Sequence, residues 1–182
     1  MIGAITILNF EIIMTISFEH LVSVAERHLE IDGRRRLEIC LKKLSEDQIW
    51  SRPNESTTSV GIILQHLAGN IRQYIISGLG GGADVRNREA EFTQQTRVPK
   101  DVLKTALFRT IGEAVRTLRS LREHDLKETY EIQGFQYTPL EAVVHVIEHF
   151  SYHVGQIAYI TKLFTDEQTG FYQGVDLNRK NL

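Results

Sequence analysis

The sequence predicts an all-α protein, a four-helix bundle. Three observations carry that prediction. Four long segments repeat apolar residues at three- and four-residue intervals, the last opens on a clear helix-start signature, and strand-like alternation is almost absent. At 182 residues the chain suits one domain with a sizeable core.

The first helix is expected from Ser17 to about Leu44, on the pattern Leu21, Val24, His28, Ile31, Leu37, Leu41 and Leu44, with Gly33 weakening its middle. Ser45 and Gln48 have the spacing of a one-turn capping box, and Pro53-Asn54 mark a loop. Ser59 caps the second helix, which runs from Val60 to about Ser77 with Ile63, Leu67, Ile71 and Tyr74 or Ile75 inward. The run GLGGG ends it.

The connection that follows is roughly 20 residues, long beside the two to eight usual in bundles. Its stretch RNREAEF, Arg86 to Phe92, suggests a docked segment. Such a connection can cross the length of the bundle, leaving helices two and three parallel. Pro99 sits at the start of the third helix, whose stripe is Leu103, Leu107, Ile111, Ala114, Leu118 and Leu121. TYEIQGFQYT alternates around Gly134 and reads as a small hairpin or an extended loop. Thr138, Pro139 and Glu141 then form a capping box with proline at the first helical position. The fourth helix is expected to reach about Phe164, with Leu140, Val143, Val144, Ile147, Val154 and Ala158 inward.

These boundaries divide the chain into an apolar N-terminal extension (1–16), the bundle (17–165) and an irregular tail (166–182) with Gly170 and Gly174. The extension lacks the basic start and small-residue cleavage site of a signal peptide. It is also shorter than the run of about 20 apolar residues that spans a membrane. It is expected to pack on the domain or on a partner subunit, with Met14 an alternative start.

Composition narrows the function. An apolar share of 42% and a charged share of 24% are those of an ordinary globular protein. A net charge of -2 argues against nucleic acid as partner. Arg34, Arg35 and Arg36 read as a solvated helix face. Cys40, the single cysteine, lies in an apolar helical pattern, which points to a small buried hydrophobe and fits a reducing cytoplasm.

The chemistry lies in HVIEHFSYHVGQI. His145, His149 and His153 stand at successive four-residue steps, so their imidazoles form one slowly drifting stripe on a helix. Two imidazoles at that spacing can hold one metal ion, although the HExxH order of zinc proteases is absent. Stacked imidazoles repel if they charge together, and a metal bound by neutral nitrogens removes that cost. A further ligand has to come from another helix. His66, beside an apolar stripe, is the best candidate, ahead of His20, His28 and His124. Three imidazoles leave a coordination position open, as in catalytic zinc sites, and nickel and iron(II) accept the same donors.

The segments ILQHLAGNIRQYI, RNREAEF and HFSYHVGQIAYI resemble the DinB-like superfamily, in particular a branch known only as a domain of unknown function. The resemblance covers nearly all of 18–164 and is most specific in a helix-two His paired with HxxxH and GQI in helix four. It implies an up-down-down-up bundle, often a homodimer, with His66, His149 and His153 as ligands of one divalent metal ion. It gives His145 a supporting or packing role. Better-studied members of the superfamily are thiol transferases using bacillithiol or mycothiol, and maleylpyruvate isomerases. The apolar prefix departs from the family pattern.

The leading expectation is therefore a cytoplasmic, metal-dependent enzyme, such as a thiol S-transferase, holding zinc or nickel, with iron also acceptable. Its expected partner is a small-molecule substrate such as a low-molecular-weight thiol, with neither nucleic acid nor membrane. Asn70, Arg72, Arg88 and Tyr152 are candidates to orient substrate, by polarity and placement, and no residue stands out as a general base. A metal-binding or stress-response module without turnover is the alternative, and a bundle with unmetallated histidines is a third reading. Fold alone does not choose among them.

Overall fold

The computed structural model describes residues 18–93 and 96–180, so the N-terminal extension lies outside the described residues. Four long helices make the bundle. Helix α1 (18–43) is continuous and includes a π-helical stretch, Arg27–Gly33, before the regular turn set Arg34–Lys43. The short α2 is Glu46–Trp50. Helix α3 starts as Val60–Ile71 and continues through a second π-helical stretch, Arg72–Leu79. The crossover contains α4 (Arg88–Thr93), and α5 (Lys100–Ser120) and α6 (Pro139–Thr165) complete the set.

Local chemistry explains most of the boundaries. Ser45 and Gln48 form a reciprocal capping box at α2, Ser59 caps α3, and Thr138 and Glu141 close the box that starts α6. Between α5 and α6, β1 (Tyr130–Ile132) and β2 (Phe135–Tyr137) pair antiparallel. Their two-residue turn, Gln133-Gly134, has positive φ at both positions, 55° and 79°, the twist that suits a tight hairpin.

Contacts at the helix ends fix the directions. Gly61 lies against the Trp50 ring, whose Nε1–H donates to Val98 O at 3.1 Å just before α5, while Gly80 lies against Thr117 near the end of α5. Helices α3 and α5 therefore run parallel. Glu26 meets Arg119 and Leu44 O meets Lys100 Nζ, so α1 opposes α5. His66 faces His149 and Asn70 faces His145, so α6 opposes α3. The order is up-down-down-up, with the crossover carrying the chain back along the bundle.

Two inward faces differ from the sequence expectation. In α1 the buried residues are Val22, Ala25, Leu29, Gly33, Leu37, Cys40 and Leu41, while His28 and Ile31 are exposed and Val24 is half-buried. The π-helical turn takes more than four residues. Counting back from Leu37 along one face thus lands on Gly33 and Leu29. In α6 the buried face is Ala142, Val143, Val146, Phe150, Val154, Ile157 and Thr161, and Ala158 also lies inward. Leu140 and Val144 are exposed and Ile147 is half-buried. Apolar residues stand on both sides of this helix, so periodicity does not choose the face that α1 and α3 cover.

The tail past Thr165 is irregular but docked. Arg35 Nη1 donates to Phe171 O, Arg36 Nη2 donates to Tyr172 Oη, both at 3.1 Å, and Lys43 pairs with Glu167. Arg34 lies over the Phe108 ring. The arginine run is thus not an idle solvated face, because each guanidinium has a protein partner. Cys40 is fully buried, and burial pushes its thiol pKa up, as suits a core position. Among the described residues, no helix is long and apolar enough to cross a membrane.

Candidate metal centre

Helix α3 offers His66 from a buried position, and α6 offers His149 and His153, both half-buried, one turn apart. One ring nitrogen from each lies within 4.8 Å of the other two. Nitrogens sharing one ion at 2.0–2.1 Å stand roughly 3–4 Å apart, so small rotations of the rings bring the trio to that spacing. The Nε2 atoms of His66 and His149 already face each other at 2.9 Å.

The opposite edges of two rings are fixed by acceptors. His66 Nδ1 lies 3.0 Å from Glu91 Oε2, and His153 Nδ1 lies 2.7 Å from Gln156 Oε1. Arg86 Nη2 also stands 3.2 Å from His66 Nδ1, but it donates to Glu91 Oε2 at a shorter 2.9 Å. A carboxylate and an amide oxygen can only accept, so these contacts assign the proton to both Nδ1 atoms and leave both Nε2 lone pairs for a cation. Residues that ligate through histidine commonly show this arrangement of the outer nitrogen.

Glu91 is itself clamped. Arg86 donates from Nε to Oε1 at 2.7 Å and from Nη2 to Oε2 at 2.9 Å, a two-pronged pair with Arg86 almost fully buried. Arg86 Nη1 also donates to Gln73 Oε1. Burial works to raise the Glu91 pKa, but Arg86 and His66 outweigh it and hold the carboxyl below its usual range. The clamp reaches α3 because position 69 is glycine: a Cβ there would stand 2.1 Å from Glu91 Oε1.

Burial keeps the α6 imidazoles neutral. His149 is pushed down to about 3, first by desolvation and then by the like charges of its histidine neighbours and Arg86. Burial also lowers His153, against the favourable contact with Gln156, and lowers His145, against the pull of Glu148. Neutral nitrogen is the form that binds metal.

The other singled-out residues divide into two groups. His145 stacks on Tyr74 at 4.2 Å and parallel to His149 at 5.6 Å, one turn from the trio. Asn70 is buried beside it, with Nδ2 3.5 Å from His145 Nε2 and Oδ1 without a protein partner. Tyr152 is exposed with its ring edge toward His153. Arg72, by contrast, is committed to Glu113 on α5 at 2.7 Å. Arg88 lies over Phe92, which in turn packs on His66. Sequence reasoning passed over Arg86, Glu91 and Gln156. Gly69, three residues after His66, was the available signal for the first two, since it marks a close approach on that face.

A family profile described as "Protein of unknown function (DUF1572)" matches residues 16–174. The chain belongs to that family. Among solved structures, this DUF1572 protein is similar to a DinB-like protein, YjoA, from Bacillus subtilis, at 18% identity and a TM-score of 0.57. The match covers 90% of this chain and 99% of that one, and shows that the DUF1572 chain has the DinB-like fold. No curated protein matches the sequence.

Proposed function

We propose that this DUF1572 protein is a metal-dependent enzyme that binds one divalent ion through His66, His149 and His153, and that it transfers a low-molecular-weight thiol. One observation carries the metal reading. Three imidazoles from two antiparallel helices converge, and two of them have their outer nitrogens spent on acceptors. The thiol class is what the resemblance to the superfamily's thiol transferases implies. An all-imidazole donor set suits zinc or nickel, and iron(II) accepts it.

Bound there, a divalent ion supplies Lewis acidity that brings the pKa of a thiol or water in its open position toward neutrality. The chain's own residues prepare that position. Glu91 sets the His66 tautomer, Gln156 sets that of His153, and Arg86 balances the charge of Glu91. Asn70 Oδ1 offers a buried acceptor one turn away, and His145 lies beside it. Tyr152 stands at the outer edge. Arg72 and Arg88 are spent on Glu113 and Phe92 and take no part in this reading.

A binding module without turnover is the second reading. It is favoured by the commitment of Glu91, the carboxylate against the trio, to Arg86 and His66, which removes it as a general base. We place the protein in the cytoplasm, on a single cysteine that can form no intrachain disulfide, and as a homodimer, on the resemblance.

Elemental analysis of the purified full chain is expected to find about one ion per protein. Cobalt-loaded protein, titrated with low-molecular-weight thiols, is expected to develop an intense sulfur-to-metal band that His153→Ala lacks and that Cys40→Ser leaves unchanged. A metal centre that no thiol perturbs while its water still exchanges shifts the choice to a hydrolytic or isomerase reaction. A centre sealed to every small ligand leaves the binding module.

A further inference from the structure

A cleft of about 590 Å³ opens between α6 and the start of α3, within the 300–1,000 Å³ usual for small-molecule sites. Its apolar walls include Ile63, Tyr152, Tyr159 and Ile160, and residues 56–58 add a rim of hydroxyls. None of its lining side chains is charged. Tyr152 and Tyr159 are seven residues apart, hence on one helix face. They are 62% and 67% exposed, with their rings open to the cleft rather than packed in the core.

Gly155 lies between them, and no atom stands within 4 Å of where its Cβ would be. The gap between the two rings is therefore open down to the backbone. Two lining residues also touch the metal centre. Gln156 accepts from His153 Nδ1 at 2.7 Å, and the Tyr152 ring meets His153 edge-on at 5.1 Å between centroids. The cleft and the histidine trio thus share a wall.

We propose that this cleft is the subsite for an uncharged, flat, apolar group of the substrate, whose reacting end lies at the histidine trio. The proposal rests on the metal reading above and adds the class of the second reactant. Two tyrosine faces suit a flat ring, the missing charges disfavour a carboxylate or phosphate, and the hydroxyl rim serves neutral polar substituents. An ionic substituent would have to lose its hydration without gaining a partner.

The test uses the full chain, loaded with cobalt or zinc, and fluorine NMR of three probes: neutral 4-fluorobenzyl alcohol, anionic 4-fluorobenzoate and cationic 4-fluorobenzylamine. The neutral probe is expected to broaden several-fold more with cobalt-loaded than with zinc-loaded protein, because the paramagnetic ion lies behind the shared wall. Gly155→Leu fills the gap at an exposed helical site where leucine is the better helix former, so the variant is expected to fold and to retain cobalt. It is expected to abolish the broadening, and Tyr159→Ala is expected to weaken it. Equal broadening in Gly155→Leu, or equal broadening by the charged probes, would overturn the proposal. A chain that takes up cobalt without cobalt-dependent broadening overturns this proposal alone. A chain that takes up no cobalt overturns the metal reading and this proposal with it.

Discussion

Glu91 Oε2 lies 3.0 Å from His66 Nδ1, on the far side of the ring from the nitrogen that faces His149. A crossover residue thereby sets the tautomer of a buried imidazole 25 positions earlier in the chain. The arrangement orders the expected effects of substitution: the trio first, its supports next, the neighbouring stripe last.

His149→Ala and His153→Ala are each expected to abolish stoichiometric metal binding, since each removes one of three ligands. His145→Ala is expected to weaken binding by no more than about 10–100-fold, the range of a residue that supports a ligand. Competition with a chromophoric chelator measures all three. Full retention in the first two variants would remove the site assignment, and an equal loss at His145 would move the pair one turn along α6.

Arg86→Ala leaves Glu91 as a buried carboxylate without its main partner. Breaking a pair of this kind costs about 3–5 kcal/mol, which urea unfolding of the metal-free chain will report. Glu91→Gln keeps an acceptor but loses the charge, so a drop of roughly 10–100-fold in metal affinity is expected with a smaller stability change. Gly69→Ala is expected to lower affinity as well, because the new methyl displaces Glu91. Wild-type affinity in all three would show the clamp to be irrelevant to the centre.

Gly33→Ala ordinarily gains about 1 kcal/mol in a helix. Here the added Cβ would stand 2.3 Å from Phe150 Cε1 on α6. Overpacking of this kind costs about 1–3 kcal/mol, so net destabilisation is expected. Adding Phe150→Leu should recover part of it, a coupling that a double-mutant cycle measures directly.

Glu141 closes the α6 capping box, and the Thr138 backbone and side-chain hydrogen bonds lower its pKa. A carboxyl with a depressed folded pKa adds stability that is complete above its unfolded pKa and fades as pH falls through the folded one. Glu141→Gln keeps the hydrogen-bonding shape without the charge. The melting-temperature gap between wild type and variant is therefore expected in full above the ordinary glutamate pKa of about 4.3, and should shrink as pH falls through the lowered folded value. A gap independent of pH would place the effect in geometry alone.

The sequence made the helix starts legible because caps are local: Ser45 with Gln48, Ser59, and Thr138 with Glu141 each act within one turn. The three converging histidines were legible as well, because helical spacing and a resemblance pointed to the same positions. The inward faces of α1 and α6 were not. A π-helical turn shifts the first, and Leu140 and Val144 give the second a competing apolar side. Arg86 and Glu91 were legible only as part of a docked segment; their contact with His66 was not, because it is distant in sequence and depends on a missing side chain at Gly69.

The parallel pairing of α1 with α6 bears on how the chain matures during synthesis. Gly33 meets Phe150 and Lys43 meets Glu167, so α1, already within reach of α5, finds this second neighbour only when α6 has been made. That same last helix carries two of the three histidines. A nascent chain released before α6 has left the ribosome has an open apolar groove along α1 and only His66 of the trio. Closure of the α1–α6 contact and completion of the histidine trio therefore both wait on the same helix.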